Sequence, residues 1–376
     1  MTVNPLRIAI FGLSITSSWG NGHATTYRAL VRALHRRGHE VQFFERDATW
    51  YAHNRDLPEP GFCGVTLYES LDALRGFADR VRDADLVIVG SYVPEGIAVG
   101  DWVLETARGV TAFYDIDTPV TLARLPRGEV DYLTVEQVRR YDMYLSFTGG
   151  PTLNRIEQEF GSPMARALYC SVDEDVYFPE QAKRHWRLGY MGTYSADRQP
   201  TVERLLIGVA EQMPTERFVV AGPQYPTDIR WPVNVQRIQH LAPDHHRSFY
   251  NSQAVTLNVT RADMIAAGHS PSVRLFEAAA CGTPILSDWW EGLDGFFEPD
   301  REILIARSSE EAVERLASVS TERRAMLGMQ ARSRVLAGHT AMHRAMELEQ
   351  FYTAVRPSLF AVANGHADTG KPAPVG

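Results

Sequence analysis

The side chains best suited to chemistry stand close together in residues 270–288, which read SPSVRLFEAAACGTPILSD. The Pro-Ser turn followed by small residues predicts the start of a helix, and a helix N-terminus favours anions because its backbone N–H groups and dipole both attract negative charge. Arg274 adds a guanidinium that can bind a phosphate through two hydrogen bonds. Glu277, on the same helix face, can accept hydrogen bonds from two neighbouring sugar hydroxyls. We therefore predict a nucleoside diphosphate site that contains Ser270, Ser272, Arg274 and Glu277.

Three other loops of this half, two of which follow predicted strands, could complete the site. Gly192 and Thr193 begin the loop GTYSADR, where a glycine lets backbone N–H groups approach a phosphate and Arg198 can neutralise it. An ordinary strand-to-helix turn with a surface arginine is the structural alternative. Gly222 and His240 belong to the loops AGPQYP and HLAP, which resemble loops that lie near the base of a bound nucleotide. These last two signals are weaker, because such loops are common.

A second group of candidates lies in the first half of the chain. Gly22 and His23 open a predicted helix after a glycine-rich turn that would let a ligand approach the backbone. The Gly22-His23 pair resembles one in which the histidine is a general base that a carboxylate orients, and Asp117 or Asp115, at the end of another strand, could supply that carboxylate. Alternatively, His23 only begins its helix, and Asp117 only caps the helix that follows it.

The elements that must position these residues alternate between strand and helix. Apolar runs predict strands at 7–12, 40–44, 85–90, 110–115, 143–147, 187–192, 217–222, 255–259 and 284–287. Such alternation indicates parallel α/β sheets, whose ligands lie beyond the carboxyl ends of the strands. We divide the chain into a Rossmann-like domain at 1–168, a linker at 169–182, a second Rossmann-like domain at 183–338, a helix at 339–360 that crosses back to the first domain, and a disordered tail at 361–376.

This pattern resembles the GT-B glycosyltransferases, and most closely their CgeB-like (spore maturation protein) branch. The resemblance implies two Rossmann-like domains whose parallel sheets face a central cleft. Many retaining GT-B enzymes carry two glutamates eight residues apart at the donor site. Glu277 matches the second, which binds the ribose, whereas His269 replaces the first, which contacts the transferred sugar.

The resemblance further implies a glycosyltransferase that needs no metal ion and no cofactor besides its UDP- or GDP-type sugar donor. Arg198 and Arg274 would stabilise the leaving diphosphate. Retention of the anomeric configuration is favoured, although His269 and the Gly22-His23 pair leave inversion open. The sequence does not identify the acceptor, which could be a glycan, a lipid, a small molecule or a protein.

Composition narrows the class of protein. The net charge of −8 argues against a nucleic-acid partner, and no apolar run is long enough for an integral membrane segment. Three scattered cysteines suit a reducing cytoplasm, where we expect the protein to be located. A basic run at 28–37 is expected to form the solvated face of a helix.

Other classes of protein share parts of this pattern. A nicotinamide-dependent dehydrogenase needs G-x-G-x-x-G after the first strand, but the glycines here are Gly12, Gly20 and Gly22, and Glu45 only imitates that family's ribose-binding carboxylate. A nucleotide-sugar epimerase on the same frame remains open. So does a non-catalytic protein that binds a sugar nucleotide.

Overall fold

The computed structural model describes residues 4–20 and 22–365, with side chains described through residue 355. It contains two wholly parallel sheets, each flanked by helices. The first sheet has seven strands in the order β3-β2-β1-β4-β5-β6-β7, and the second has six in the order β10-β9-β8-β11-β12-β13. The prediction of two Rossmann-like α/β domains is therefore confirmed.

The strands of the first domain are β1 (Arg7–Gly12), β2 (Glu40–Arg46), β3 (Gly64–Tyr68), β4 (Leu86–Gly90), β5 (Val110–Asp115), β6 (Met143–Ser146) and β7 (Ala165–Ala167). Those of the second are β8 (Trp186–Met191), β9 (Phe218–Ala221), β10 (Val235–Ile238), β11 (Gln253–Asn258), β12 (Ile285–Ser287) and β13 (Leu304–Ile305). Each of the nine predicted strands is present within two residues of its predicted ends. The structure adds β3, β7, β10 and β13.

The helices of the first domain are α1 (His23–Arg36), α2 (Thr49–Ala52), α3 (Leu71–Arg75), α4 (Ala78–Arg82), α5 (Gly96–Thr106), α6 (Thr118–Arg124), α7 (Val135–Arg140) and α8 (Pro151–Gln158). They are followed by α9 (Gln199–Val202), α10 (Gly208–Gln212), α11 (Pro243–Asn251), α12 (Ala262–Ala267), α13 (Val273–Ala280), α14 (Ser309–Ala317), α15 (Thr321–Gly338) and α16 (Ala341–Gly365). A π-helical turn, Glu203–Ile207, joins α9 to α10.

The central strands are largely apolar and buried because helices cover both faces of each sheet. All five residues of β4 and all six of β5 are buried. Helix α1 instead has one apolar stripe, in which the predicted positions Tyr27, Leu30, Val31 and Leu34 are all buried against the sheet. The helices cover the faces of the sheets but not the carboxyl ends of the strands, so the polar loops gather at that edge.

Helix α16 follows the second domain and packs against α1 of the first. Glu349 joins the two helices by a two-pronged ion pair with Arg37 and accepts a hydrogen bond from His39 Nε2 at 2.8 Å. The helix was predicted at 339–360 and continues to residue 365. The rest of the predicted tail, 366–376, lies outside the described residues.

The expectation of a solvated basic face on α1 is wrong. Arg28 forms a two-pronged ion pair with Asp56 at 2.7 and 2.9 Å, and Arg32 pairs with the buried Asp173 of the segment between the domains. Arg36 pairs with Asp175 in the same segment at 2.6 Å. These arginines therefore attach α1 to neighbouring segments, a use that helical spacing alone does not reveal.

Candidate active site

A cavity of about 290 Å³ lies between the two domains, beyond the carboxyl ends of their strands. Its walls combine the loop after β1 with the loops after β8, β9 and β10 and the first turns of α13. Eight of the predicted site residues line it: Gly22, Gly192, Thr193, Arg198, Gly222, His240, Arg274 and Glu277. The remaining four, His23, Asp117, Ser270 and Ser272, do not.

Two glycines allow the loops after β8 and β9 to meet at the cavity floor. Gly222 has a φ of +149°, and a Cβ there would lie 2.0 Å from the carbonyl oxygen of Gly192. A Cβ on Gly192 would in turn lie 2.6 Å from the Tyr190 hydroxyl and 3.1 Å from Arg274 Nη2. Side chains at either position would push apart the backbone that a phosphate must approach.

The cavity contains two guanidinium groups without acidic partners. Arg274 is only 8% exposed and donates to the carbonyl of Met191 at 2.6 Å and to Asn258 Oδ1 at 3.0 Å. Arg198 donates to the carbonyl of Thr193 at 3.0 Å. Among the described side chains, neither arginine has a carboxylate oxygen within 4.0 Å, although most other arginines here do. Two guanidinium groups against Glu277, the one carboxylate among the described lining residues, leave an excess of positive charge that favours an anionic ligand.

Glu277 lies beside these arginines and is held by a buried phenol. Its Oε2 accepts a hydrogen bond from the Tyr250 hydroxyl at 2.8 Å, and the carboxylate is 3% exposed. Burial, and then the charge of Glu277, raise the pKa of Tyr250 far above its usual value, so the phenol stays protonated and donates. The carboxylate keeps acceptor capacity for hydroxyl groups of a ligand.

The first domain contributes a loop, residues 13–22, that is anchored by two carboxylates. Glu45 is fully buried and accepts from the backbone N–H groups of Ile15 and Thr16 at 2.7 and 3.0 Å. Asp56 accepts from the N–H and hydroxyl of Ser18 at 2.8 and 3.0 Å. Glu45 is thus a support for the loop and is not available to a ribose.

The tip of this loop reaches the second domain. The ring of Trp19 lies 4.3 Å from that of His240, centroid to centroid. This aromatic contact joins the domains beside the cavity. Trp19 was not singled out in the sequence.

Residues 269–272 connect the domains and do not line the cavity. Ser270 is fully buried and shares a 2.9 Å hydrogen bond with Thr148 of the first domain, while the Ser272 hydroxyl donates to Asn258 Oδ1 at 2.7 Å. His269 has a φ of +45°, and its ring lies so close to Gly150 that a Cβ there would be 2.3 Å away. The imidazole thus fills a gap between domains, away from the cavity.

The predicted pairing of His23 with a carboxylate is not formed. Asp117 Oδ2 accepts from the Tyr92 hydroxyl at 3.0 Å and from Arg261 of the second domain at 3.1 Å. Burial raises the pKa of Asp115 to about 6, and its oxygens are held inside the domain by Thr121 and the backbone N–H of Asp117. Neither aspartate has a hydrogen bond to His23 among the described contacts.

Tyr92 instead contacts both His23 and Asp117. Its ring meets that of His23 edge-on at 5.4 Å, and its hydroxyl holds Asp117. It has a φ of +61°, which is unusual for a residue with a large side chain. Burial lowers the pKa of His23 to about 4, so the imidazole is neutral at physiological pH. A neutral imidazole can accept a proton, and so low a pKa makes it a weaker base than an ordinary histidine.

Sequence reasoning missed four residues that shape the site: Trp19, Tyr92, Tyr250 and Asn258. Asn258 ends β11 at the edge where ligands bind in parallel sheets, which is a signal that could have identified it. The other three act through contacts with residues far away in the chain, for which a single sequence gives no sign.

Comparisons with known proteins agree with this geometry. Residues 198–350 match a protein family described as glycosyl transferase-like, and no curated protein is detectably similar to the chain in sequence. Among solved structures, sucrose-phosphate synthase from Thermosynechococcus elongatus superposes with a TM-score of 0.68 at 15% identity, covering 94% of this chain and 99% of that one.

Two further structures are similar over the same extent. HepE from Anabaena, in complex with UDP-glucose, has a TM-score of 0.69 at 11% identity and covers 93% of this chain and 100% of its own. An α-glucosyltransferase in complex with UDP-glucose and DNA containing an abasic site has a TM-score of 0.70 at 15% identity, with the same coverage. At such low identity the likeness establishes the fold. The chain therefore has the GT-B fold of glycosyltransferases, and its glycosyl transferase-like segment contains Arg198, Arg274 and Glu277.

Proposed function

We propose that this protein is a glycosyltransferase that moves a sugar from a nucleoside-diphosphate sugar to an acceptor hydroxyl. The observation that carries the proposal is the cavity in which Arg198 and Arg274 lack acidic partners beside the carboxylate of Glu277. Two guanidinium groups suit a diphosphate, and a carboxylate suits the vicinal hydroxyls of a ribose.

In the proposed reaction, negative charge grows on the diphosphate as the bond to the sugar breaks. Arg198 and Arg274 are already oriented by backbone and amide acceptors, so they stabilise this charge without reorganising. The two arginines would thereby supply the charge stabilisation that a bound metal ion could otherwise provide. If the reaction inverts the anomeric configuration, His23, neutral at physiological pH, is the proposed base toward the acceptor.

Finer features belong to the same proposal. A UDP-sugar is the first donor to test, because HepE and the α-glucosyltransferase are in complex with UDP-glucose. The match of Glu277 to the second glutamate of retaining enzymes supports retention, and the sequence pattern supports the CgeB-like branch. The three free cysteines support a cytoplasmic location. Among the described residues, no helix combines the length and apolarity needed to cross a membrane.

The direct test is a thermal-shift panel of nucleotides and nucleotide sugars with the full-length chain. A ligand at one hundred times its Kd should stabilise the protein by about 2.7 kcal/mol. Arg274→Ala and Glu277→Ala should each abolish the shift given by the best ligand. Arg155→Ala is the matched control, since that arginine forms an exposed pair with Glu159 on α8, and it should leave the shift unchanged.

Product analysis then separates the reaction classes. Incubation of the stabilising donor with candidate acceptors should release nucleoside diphosphate and form a glycoside, whose anomeric configuration is read by NMR. An epimerised sugar would indicate the epimerase alternative, and binding with no turnover across acceptors would indicate a sugar-nucleotide-binding protein. A native chain that no nucleotide stabilises would refute the proposal.

A further inference from the structure

Arg274 is a buried cation whose partners are all neutral. Its Nε and Nη1 donate to the Met191 carbonyl and the Asn258 amide oxygen, and its Cζ lies 4.9 Å from the centroid of the Tyr190 ring. Burying a guanidinium without a counter-charge is unfavourable, and a carboxylate would be the usual partner. The amide at position 258 stands where such a carboxylate could be.

The amide of Asn258 is held in one orientation by four contacts. Its Oδ1 accepts from Arg274 and from the Ser272 hydroxyl, at 3.0 and 2.7 Å, while its Nδ2 donates to the hydroxyls of Thr260 and Ser287, at 3.2 and 2.9 Å. Asn258 is fully buried. The carbonyl side of the amide therefore faces the arginine, and a flipped amide would lose the contact with Arg274, because a guanidinium has no acceptor for the amide N–H groups.

The nearest acidic group of this network is kept from the arginine by the same hydroxyls. Asp288 accepts from the Thr260 N–H and hydroxyl at 2.9 and 2.8 Å and from the Ser287 hydroxyl at 3.3 Å. It is not within 4.0 Å of Arg274, in contrast to the ion pairs found elsewhere among the described side chains. Thr260 and Ser287 thus separate the carboxylate from the amide that holds the guanidinium.

We propose that Asn258 is a positioning residue that fixes Arg274 through a neutral acceptor, so that the full charge of the arginine remains available to the ligand's phosphates. This inference rests on the proposed function, because it identifies what sets the anion affinity of that same site. A carboxylate at position 258 would hold the guanidinium in the same place but neutralise it. An uncharged acceptor would hold the guanidinium without neutralising it.

The test compares Asn258→Asp with Asn258→Ser, using inorganic pyrophosphate and UDP as probes in titration calorimetry. Asn258→Asp should lower the affinity for both probes at least tenfold, whereas Asn258→Ser should stay within about fivefold of the native chain. Asn251→Asp is the matched control. It also turns a buried amide into a carboxylate, but its partners are the carbonyls of Phe178 and Arg247 and the N–H of Glu180, outside the cavity.

Melting temperatures without ligand provide a readout that a merely structural role would not move. Asn258→Asp should lower the melting temperature several degrees more in an Arg274→Ala background than in the native one, because only the native arginine can pair with the new carboxylate. Equal losses in both backgrounds would overturn the inference. So would native probe affinity in a folded Asn258→Asp variant.

The remaining outcomes also support or refute the positioning role of Asn258. If Asn258→Asp does not fold, Asn258→Ser must still bind pyrophosphate within fivefold of native, and a loss as large as that of Arg274→Ala would refute the positioning role. A native chain that binds pyrophosphate but no nucleoside diphosphate would remove the proposed function while leaving the inference in place. A native chain that binds neither would remove both.

Discussion

Replacing Glu277 by glutamine tests the ribose contact separately from the phosphate contacts. Tyr250 donates to the carboxylate at 2.8 Å, Tyr177 also hydrogen-bonds it, and the residue lines the cavity. A hydrogen bond from a ligand hydroxyl to a charged group contributes about 1.5–3 kcal/mol. Removal of one such hydroxyl from the ligand should therefore weaken binding by about 10- to 100-fold, since 1.4 kcal/mol is tenfold.

The assay uses the nucleoside diphosphate that stabilises the protein most, together with its 2′-deoxy analogue. The native chain should prefer the ribonucleotide by that factor in calorimetric titrations. Glu277→Gln, which keeps the size of the side chain but loses its charge, should lower the preference to less than about fivefold. The phosphate contacts of Arg198 and Arg274 are common to both ligands, so they cancel in the ratio of the two affinities.

The control is another buried carboxylate. Glu302 is 8% exposed and accepts from the Glu298 N–H at 2.8 Å and from Arg334 at 2.9 Å, far from the cavity loops. Glu302→Gln should retain the native preference. If Glu277→Gln retains it as well, the carboxylate does not bind the ribose and this part of the reasoning is wrong.

Three further predictions concern catalysis and stability. His23→Ala should bind nucleotide as the native chain does but slow transfer about 100-fold or more, in the range of general-base effects; unchanged turnover would refute the base assignment. Glu349→Gln should lower the free energy of unfolding by about 1.5–3 kcal/mol in urea titrations, because two charge-assisted contacts to Arg37 and His39 are weakened. Although burial opposes it, hydrogen bonds from Arg28 and Ser18 lower the pKa of Asp56 to about 2. The resulting stability, about 1 kcal/mol after solvent screening, is present above the unfolded pKa of about 3.9 and is lost as the pH falls through 2. Melting temperatures of Asp56→Asn should lie below the native values at pH 7 and converge with them near pH 2.

The strands that sequence analysis missed share one physical cause. All four, β3, β7, β10 and β13, are the outer strands of the two sheets. An outer strand is covered less completely, so its residues alternate or are partly exposed, as in the Val235–Ile238 strand, where only Val235 is buried. The continuous apolar runs that reveal a central parallel strand are then absent.

Sequence analysis identified the site residues whose chemical role follows from a local sequence pattern. Gly192, Arg198, Arg274 and Glu277 each lie at a strand end or helix start, and the fold brings them into one cavity. The assignment of a carboxylate to His23 was not confirmed, because Asp117 is bound by Tyr92 and by an arginine of the other domain. Such partners are 25 and 144 residues away in the chain, and only the folded arrangement of both domains determines them.

Three of the contacts that join the two domains lie on the side of the molecule that contains the strands' carboxyl ends, and one of them lies beside the cavity. Trp19 meets His240, Asp117 meets Arg261, and Thr148 meets Ser270. In the proposed reaction, opening of the lobes would have to break these contacts. If the spent diphosphate leaves only through such an opening, the speed of lobe separation rather than sugar transfer would govern steady-state turnover.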